Sequence, residues 1–277
     1  DICYPHRLET QYNYLIKYQK KVVFSWVNFI NENSQIITDS HFAENLFNHP
    51  NRTKSEILRH FFFKGNYINA VTGFICRELL FDAGLFNVAA IQLQDFEMWL
   101  KLIKKHEIYI LPDQLIKYRI RTIGENLSHP SNFIRTDFED QQIYRRMFDD
   151  VPKELFKEAF PDKVIKSKFS DGIEYELEKA FLYLQHNSSS VQIIGCEKLF
   201  NLLQDKNILS CSISKYNFTL VDLYQLTNKI DFLNKKILNI IHNNFLLKEQ
   251  QLENANYEIK RTFDFLATKP YFFNFKP

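Results

Sequence analysis

The chain has 277 residues, of which 45% are hydrophobic and 25% are charged, a composition that allows one large globular domain or two ordinary ones. Its 35 Lys and Arg residues against 33 Asp and Glu residues give a formal net charge of +2, so we expect no nucleic-acid partner. The six glycines form neither a G-x-G-x-x-G nor a G-x-x-x-x-G-K-[ST] loop, which excludes the common glycine-rich phosphate cradles. No run of about 18 apolar residues predicts a transmembrane helix.

The cysteines and histidines show no pattern of a metal or nucleophile site. Cys3, Cys76, Cys196 and Cys211 are far apart and form no C-x-x-C pair, so we expect reduced thiols in a cytoplasmic protein. No H-E-x-x-H or G-x-S-x-G motif is present, and no cysteine has a neighbouring histidine. A zinc site and a serine or cysteine hydrolase are therefore disfavoured.

The first 125 residues alternate between helix-like and strand-like patterns, which indicates an α/β fold. In chain order the predicted elements are a helix over 8 to 18, strands at 21 to 30 and 35 to 38 joined as a hairpin by the turn NENS, a helix over 53 to 63, a helix from Asp95, and strands over 107 to 112 and 114 to 121 hinged at Pro112.

From residue 132 onward nearly every segment has helical periodicity, which predicts an all-α C-terminal region. We place a domain boundary in the loop ENLSHPSN, and expect an α/β domain over 1–130, a helical domain over 131–220, and a long C-terminal helix with a tail over 221–277. The predicted helices cover residues 133 to 148, 153 to 160, 172 to 186, 189 to 205, and a long stretch from about 220.

The long C-terminal segment carries a short heptad pattern, which Asn244 interrupts after fewer than three repeats. A helix packed on its own domain explains the pattern, and a coiled-coil dimer is the alternative. The apolar positions, three and four residues apart, are Leu223, Leu226, Ile230, Leu233, Ile237 and Ile240.

Asp95 lies directly ahead of an amphipathic segment in the stretch IQLQDFEMWLKL. Phe96, Trp99, Leu100 and Ile103 recur at helical spacing after it. An Asp in this position is a good helix N-cap, because its side chain accepts from free amides of the first turn. The alternative is a carboxylate that takes part in a reaction.

Three stretches together resemble the family 2 glycosyltransferases. DICYPHRLETQYNYL, at the start of the chain, resembles the segment that follows that family's metal-binding D-x-D motif. VTGFICRELLFDAGLFN resembles its segment of a strand, an Arg and a short helix ending in G-x-F. LQDFEMWLKLIKKHEIYILPDQLIKYRIR resembles its E-D-x-x-x-W-x-x-L helix and the two following strands that end in Y-R-x-H. Order and spacing also agree, over about residues 1 to 130.

The resemblance implies a nucleotide-diphospho-sugar transferase with the GT-A fold, a mixed sheet flanked by helices, in which the nucleotide lies at the carboxyl ends of the leading strands. It also implies that the first half of this domain, with the first carboxylate of D-x-D, precedes this stretch. We therefore expect the chain to be a fragment that binds nucleotide-sugar weakly or not at all by itself.

By position, Asp95 corresponds to the family's catalytic base, which takes the proton of the acceptor hydroxyl during inverting transfer. Such a base is expected to point into the open crevice and not back onto the amides of Phe96 and Glu97. Gln94 stands where the family has Glu, which removes one of two adjacent carboxylates. Arg121 stands where the family often has His; an Arg cannot bind a cation but can pair with phosphate.

Four further residues are candidates with a structural alternative each. Trp99, one turn after Asp95, either lines the acceptor pocket or packs in the core. Arg77 and Arg7 either bind phosphate or an acceptor, or form structural ion pairs. Asp1 is by register the trailing acid of D-x-D-D or the last metal ligand of that motif.

The resemblance further implies hexosyl transfer from a nucleotide-sugar donor to a saccharide or lipid-linked acceptor in surface polysaccharide biosynthesis, with Mg²⁺ or Mn²⁺ at the departing diphosphate. The stretch YEIKRTFDFLATKP resembles tails of some polysaccharide-assembling transferases, which implies peripheral association with the inner face of the membrane. The alternative is a non-catalytic transferase remnant whose helices bind a partner protein.

Overall fold

A computed structural model describes residues 1–38, 46–121, 132–170, 172–230 and 235–267, with the side chains of 242–264 in the last of these ranges. The chain divides into two compact units, Asp1–Tyr224 and Gln225–Pro277. The first unit contains the sheet and most of the helices.

The described residues form one mixed sheet of four strands in the order β1-β4-β2-β3. The two central strands, β2 and β4, are parallel, and the short strands β1 and β3 pair antiparallel with β4 and β2 at the two edges. The strands are β1 Ile2–Cys3, β2 Val22–Ile30, β3 Phe74–Ile75 and β4 Tyr109–Arg119.

Helices flank the sheet, and the secondary structure of the described residues after β4 is helical, so the predicted class, α/β followed by an all-α region, is confirmed. The helices are α1 Arg7–Tyr18, α2 Lys54–Lys64, α3 Arg77–Asp82, α4 Gln94–Ile103, α5 Phe133–Arg146, α6 Lys153–Ala159, α7 Ile173–Leu184, α8 Ser189–Leu202, α9 Lys206–Tyr216, α10 Leu220–Lys229 and α11 Lys235–Ala267.

Strand β2 is buried on both faces because helices cover both sides of the sheet. Val22 and Phe24 face the larger core, where they pack with Phe96 and Trp99 among others. Val23, which points to the other face, packs with Leu15, Leu111 and Leu115. A central parallel strand covered on both sides reads as a continuous apolar run, which is what KVVFSWVNFI shows.

The prediction of two strands hinged at Pro112 is wrong, because both belong to β4. Ser25 of β2 lies opposite Leu111, and Trp26 lies opposite Gln114, so Pro112 and its successor form an irregularity within one strand. Proline has no amide N–H to donate to the ladder, and a bulge accommodates it without ending the strand.

The predicted hairpin after β2 is reduced to a single antiparallel bridge between Ile30 and Ile36. The turn is present, with the amide of Asn31 donating to the carbonyl oxygen of Gln35 at 2.9 Å. In the described residues QIIT thus forms a bridge and not the predicted second strand.

The all-α region and the sheet share one hydrophobic core. Phe62 of α2 contacts the rings of Phe148, Phe160 and Tyr183, and its carbonyl oxygen accepts from the hydroxyl of Tyr144 at 2.9 Å. Most of the predicted boundary loop lies outside the described residues, and the division into domains over 1–130, 131–220 and 221–277 stays a prediction.

The single long helix predicted from about 220 is described as two helices, since α10 ends at Lys229 and α11 begins at Lys235. The heptad pattern therefore crosses residues 231 to 234, which are not among the described residues. The described side chains of α11 are all exposed, and dimer formation stays a prediction. Within the described residues, none of the helices has the length and apolar character to cross a bilayer.

Gly195 of α8 lies where α8 approaches α7 too closely for a side chain. A Cβ there would lie 2.8 Å from Leu184 Cδ2 and 2.9 Å from Tyr183 Cβ. We expect Gly195→Ala to destabilise the protein by about 1–3 kcal/mol through overpacking, against the gain of about 1 kcal/mol that Ala gives to a free helix. Chemical denaturation measures this, with Asn201→Ala on the exposed side of α8 as the control; equal or greater stability of Gly195→Ala would contradict the close packing.

Candidate active site

Asp95 lies in the first turn of α4, two positions further in than the N-cap position that the sequence indicated. The N-cap position is occupied by Leu93, whose side chain makes no capping hydrogen bond. The interpretation of Asp95 as the N-cap is therefore wrong: it is the second residue of the helix.

The Asp95 carboxylate has one hydrogen bond to the backbone and one to a side chain. Oδ1 accepts from the Phe96 amide at 2.7 Å, and Oδ2 accepts from Asn66 Nδ2 at 3.2 Å. The expectation that a base would not turn toward the Phe96 amide is thus contradicted for Oδ1. The Glu97 amide donates instead to the Leu93 carbonyl oxygen, as in an ordinary helix. Oδ2 is held by one side-chain amide and keeps acceptor capacity for another donor.

Burial raises the pKa of the Asp95 carboxyl to about 6, although the Phe96 amide, its own amide and Asn66 all favour the ionised form. The pKa of the Tyr118 phenol is raised in turn, first by burial and then by the charge of Asp95. The two side chains therefore lie close enough to interact at the end of β4. A carboxylate with a pKa near neutrality suits general-base catalysis better than an ordinary Asp.

The segment that leads into α4 is held by a carboxylate from the helical region. Glu139 of α5 accepts hydrogen bonds from three consecutive amides, those of Ile91 at 2.9 Å and of Gln92 and Leu93 at 2.8 Å each. Burial opposes ionisation of Glu139, but these amides outweigh it and lower the pKa. The N-terminus of α4 is therefore capped by a residue 46 positions away, which fixes the backbone just ahead of Asp95.

Asp1 lies near the same end of β4. Its Oδ1 accepts from the Arg119 amide at 2.8 Å, next to Tyr118 in the chain. In the part of the chain that the structure describes, no three His, Cys, Asp or Glu side chains come together as metal ligands. The described residues thus do not form a divalent-cation site, and Asp1 as a metal ligand stays a prediction.

Trp99 belongs to the core. It is only 2% exposed, and its ring meets Phe24 edge-on at 4.7 Å between centroids. Its apolar spacing in the helix already allowed this alternative, and a ring so placed is not available to stack on a sugar. The substrate-binding role expected for Trp99 is therefore not supported by its position.

The other predicted substrate contacts are exposed. Gln94 is the first residue of α4, Arg77 is the first residue of α3 with its guanidinium 5.3 Å from the Phe81 ring centroid, and Arg121 follows β4. Their contact with a substrate stays a prediction.

Arg7 has the structural role that the sequence left open, although through hydrogen bonds and not an ion pair. Its guanidinium donates to Gln11 Oε1 at 3.0 Å, to Cys3 Sγ at 3.0 Å and to the Gly73 carbonyl oxygen at 3.2 Å. Gln11 is fully buried and donates to the carbonyl oxygen of Thr72 at 2.8 Å. Arg7 therefore connects β1, α1 and the segment before β3.

All four cysteines are free, as predicted.

A cavity of about 480 Å³ lies between α4 and α5, lined by Glu97, Lys101, Glu139 and Arg146 among others. Asp95 is not among its lining residues, because it lies on another face of α4. The candidate site is therefore identified by the raised pKa of Asp95 and by its closeness to Tyr118 near the carboxyl end of β4. The cavity between α4 and α5 is not part of it.

Three residues of the site were missed by sequence reasoning. Asn66 follows α2 in the stretch KGNYIN, where no motif marks it, and Glu139 acts across a separation of more than 40 residues. Tyr118 lies in the Y-R-x-R stretch that carried the resemblance, which was a usable signal.

Comparison with known proteins gives a partial relationship. The chain is 27% identical, over 130 residues, to an uncharacterized glycosyltransferase of Methanocaldococcus jannaschii. The match covers 46% of this chain and 42% of that protein, so the chain spans less than half the length of its relative. No family model and no solved structure matches. The chain is thus distantly related in sequence to a glycosyltransferase.

Glu139→Gln tests the remote cap. It removes the charge from three hydrogen bonds, and we expect a loss of about 2–3 kcal/mol in the free energy of unfolding at pH 7. Because the folded-state pKa of Glu139 is lowered, its contribution is complete above the ordinary carboxyl pKa and is lost as the pH falls through the lowered value. The difference between wild type and variant should therefore shrink in acid.

Glu154→Gln, at an exposed position of α6, is the matched control and should change stability by no more than about 0.5 kcal/mol. Equal effects of the two substitutions in urea denaturation at pH 7 would show that the Glu139 contacts do not stabilise the fold.

Proposed function

We propose that these residues are part of a glycosyltransferase in which Asp95 is the general base of an inverting sugar transfer. The observation that carries the proposal is a carboxyl group with a pKa raised to about 6, close to Tyr118 near the carboxyl end of β4. The distant sequence relationship to a glycosyltransferase supports the same reaction class.

In the proposed reaction the acceptor hydroxyl donates to Asp95 Oδ2 and its oxygen attacks the anomeric carbon of the donor sugar. The proton passes to Oδ2, the bond between the anomeric carbon and the diphosphate oxygen breaks, and the electron pair leaves with the nucleoside diphosphate. The Phe96 amide holds Oδ1, and Asn66 orients Oδ2. At pH 7 a carboxyl with a pKa of about 6 is mostly ionised, and it is still basic enough to take the proton.

The proposed substrates are a nucleotide-sugar donor and a saccharide or lipid-linked acceptor, in the assembly of surface polysaccharide. Gln94, Arg77 and Arg121 are proposed substrate contacts because they are exposed, and the two arginines can pair with phosphate. A divalent cation, Mg²⁺ or Mn²⁺, at the departing diphosphate stays a proposal for the full-length protein.

The alternative is a non-catalytic transferase remnant that binds a partner protein. The observation in its favour is the hydrogen bond from the Phe96 amide to Asp95 Oδ1, which an ordinary first-turn Asp also makes. In that case Asp95 needs no ionisable proton, and Asn would replace it without loss.

Asp95→Asn separates the two functions. In the full-length protein we expect kcat to fall by about 10²–10⁴, because the amide cannot accept the proton, while donor binding changes little. The measurement is steady-state transfer with KM for the donor determined separately. Glu97→Gln is the control: Glu97 lies two residues on, pairs with Lys101 at 3.0 Å and has no proposed role in transfer. Turnover of Asp95→Asn close to that of Glu97→Gln would exclude Asp95 as the base.

A further inference from the structure

A basic cavity of about 430 Å³ lies along α2, outside the Asp95 site. It also takes in residues that follow α6 and α7, so two parts of the fold form its walls. Its charged and titratable lining residues are Arg52, Glu56, Arg59, His60, Lys64 and Lys163.

Two of these charges are already engaged. Arg59 donates to both carboxylate oxygens of Asp162, at 2.6 and 2.9 Å. Glu56 closes a capping box, since its Oε2 accepts from the Thr53 amide at 2.8 Å and from the Thr53 hydroxyl at 3.0 Å.

Among the described residues, Arg52, Lys64 and Lys163 have no carboxylate within ion-pair distance, although Arg52 is near enough to Glu56 to contribute to lowering its pKa. None of them has an ion-pair partner within 4 Å in the described part of the chain. Lys64 is exposed at the end of α2, and the Lys163 ammonium lies 5.9 Å from the Phe63 ring centroid. The cavity thus holds an excess of positive charge over Glu56.

The pKa of His60 reflects this excess of positive charge. Burial first, and then the positive charges of Arg52, His49 and Lys64, lower the pKa of the His60 imidazole to about 4. His60 is therefore neutral near pH 7, and an anion bound among these cations would raise its pKa again.

Two buried hydrogen-bond donors lie in the same cluster. Tyr67 is 3% exposed, and its ring lies 4.5 Å from both the His60 ring centroid and Arg52 Cζ. The Tyr67 hydroxyl and Arg52 Nη1 are both buried and make no hydrogen bond of good geometry among the described residues, although Arg52 is near enough to favour the ionised form of the Tyr67 hydroxyl. Of these two residues Arg52 lines the cavity. A buried donor without a good partner is costly, so an acceptor brought into the cavity would stabilise the Arg52 guanidinium.

We propose that this cavity binds a phosphate group, held by Arg52, Lys64 and Lys163. A phosphate monoester carries a charge of about −1.5 to −2 and three acceptor oxygens, which match the three cations. The planar Arg guanidinium suits bidentate contact with phosphate, and the two lysines act as point charges. Asn187 also lines the cavity and adds a neutral hydrogen-bonding group for the rest of the ligand, whereas Gln185 Nε2 already donates to the Lys163 carbonyl oxygen at 2.7 Å. The phosphate belongs either to a soluble phosphate ester or to a lipid headgroup.

The test is a titration of the full chain with inorganic phosphate, followed by NMR of the His60 imidazole. We expect saturable shifts and a higher pKa of His60 in phosphate than in chloride at equal ionic strength. The double variant Lys64→Gln with Lys163→Gln should bind phosphate about tenfold more weakly, and Lys206→Gln, an exposed lysine outside the cavity, should bind like wild type.

Two further probes distinguish the sources of the phosphate. Glycerol phosphate represents a soluble ester, and phosphatidylcholine vesicles with and without phosphatidic acid represent a lipid headgroup; binding of either that the double variant weakens supports the site and identifies the source. The proposal is overturned if chloride and phosphate act alike, if the double variant binds like Lys206→Gln, or if none of the three probes binds. None of these results depends on sugar transfer.

Discussion

The hydrogen bonds of Glu139 to the amides of Ile91, Gln92 and Leu93 are the constraint on which the candidate site depends. A helix begins with several amides that have no partner within the helix, and a local Ser, Asp or Asn usually satisfies them. Here Leu93 stands at the cap position and has no capping side chain. Glu139 of α5 instead accepts from the Leu93 amide and from the two amides before it. The helical region therefore does more than extend the chain: it fixes the backbone that presents Asp95.

Asp95 and Glu139 have opposite effects on stability, although both are buried carboxyl groups near one helix end. Glu139 is surrounded by donors, so its ionised form is favoured and its pKa is lowered. Asp95 accepts from fewer donors, so its burial dominates and its pKa is raised to about 6 from the ordinary Asp value of about 4. The ionised Asp95 therefore costs stability, and the cost appears as the pH rises between those two values. Functional groups are often kept at such a cost, while the surrounding packing compensates.

The segment after α2 connects the two sites described above. Asn66 donates to Asp95, and the next residue, Tyr67, contacts two lining residues of the basic cavity: its ring meets that of His60 edge-on and lies under the Arg52 guanidinium. In one site burial makes an acid less acidic, and in the other burial and nearby cations make a base less basic. Both effects arise because the large aromatic core excludes water from neighbouring polar groups.

Sequence reasoning predicted the features that depend on local pattern. The apolar run of β2, the helix after Asp95 and the all-α second half follow from periodicity, and they are present. What it missed depends on contacts distant in sequence or on weak local signals. The hydrogen bonds of Glu139 join residues more than 40 positions apart. Helix α9 was not predicted because its stretch ILSCSIS is rich in serine and isoleucine. The N-cap of α9 is Asp205, which accepts from the Asn207 amide at 2.7 Å.

Burial keeps the Asp95 carboxyl close to its ionisation point near neutral pH. Carbon-13 NMR of the side-chain carboxyls, with Asp95→Asn used to assign the signal, measures this pKa directly in the chain described here. We expect a titration midpoint near 6. A midpoint at or below the ordinary Asp value of about 4 would contradict the claim, because Asp95 would then be an ordinary first-turn acid of α4.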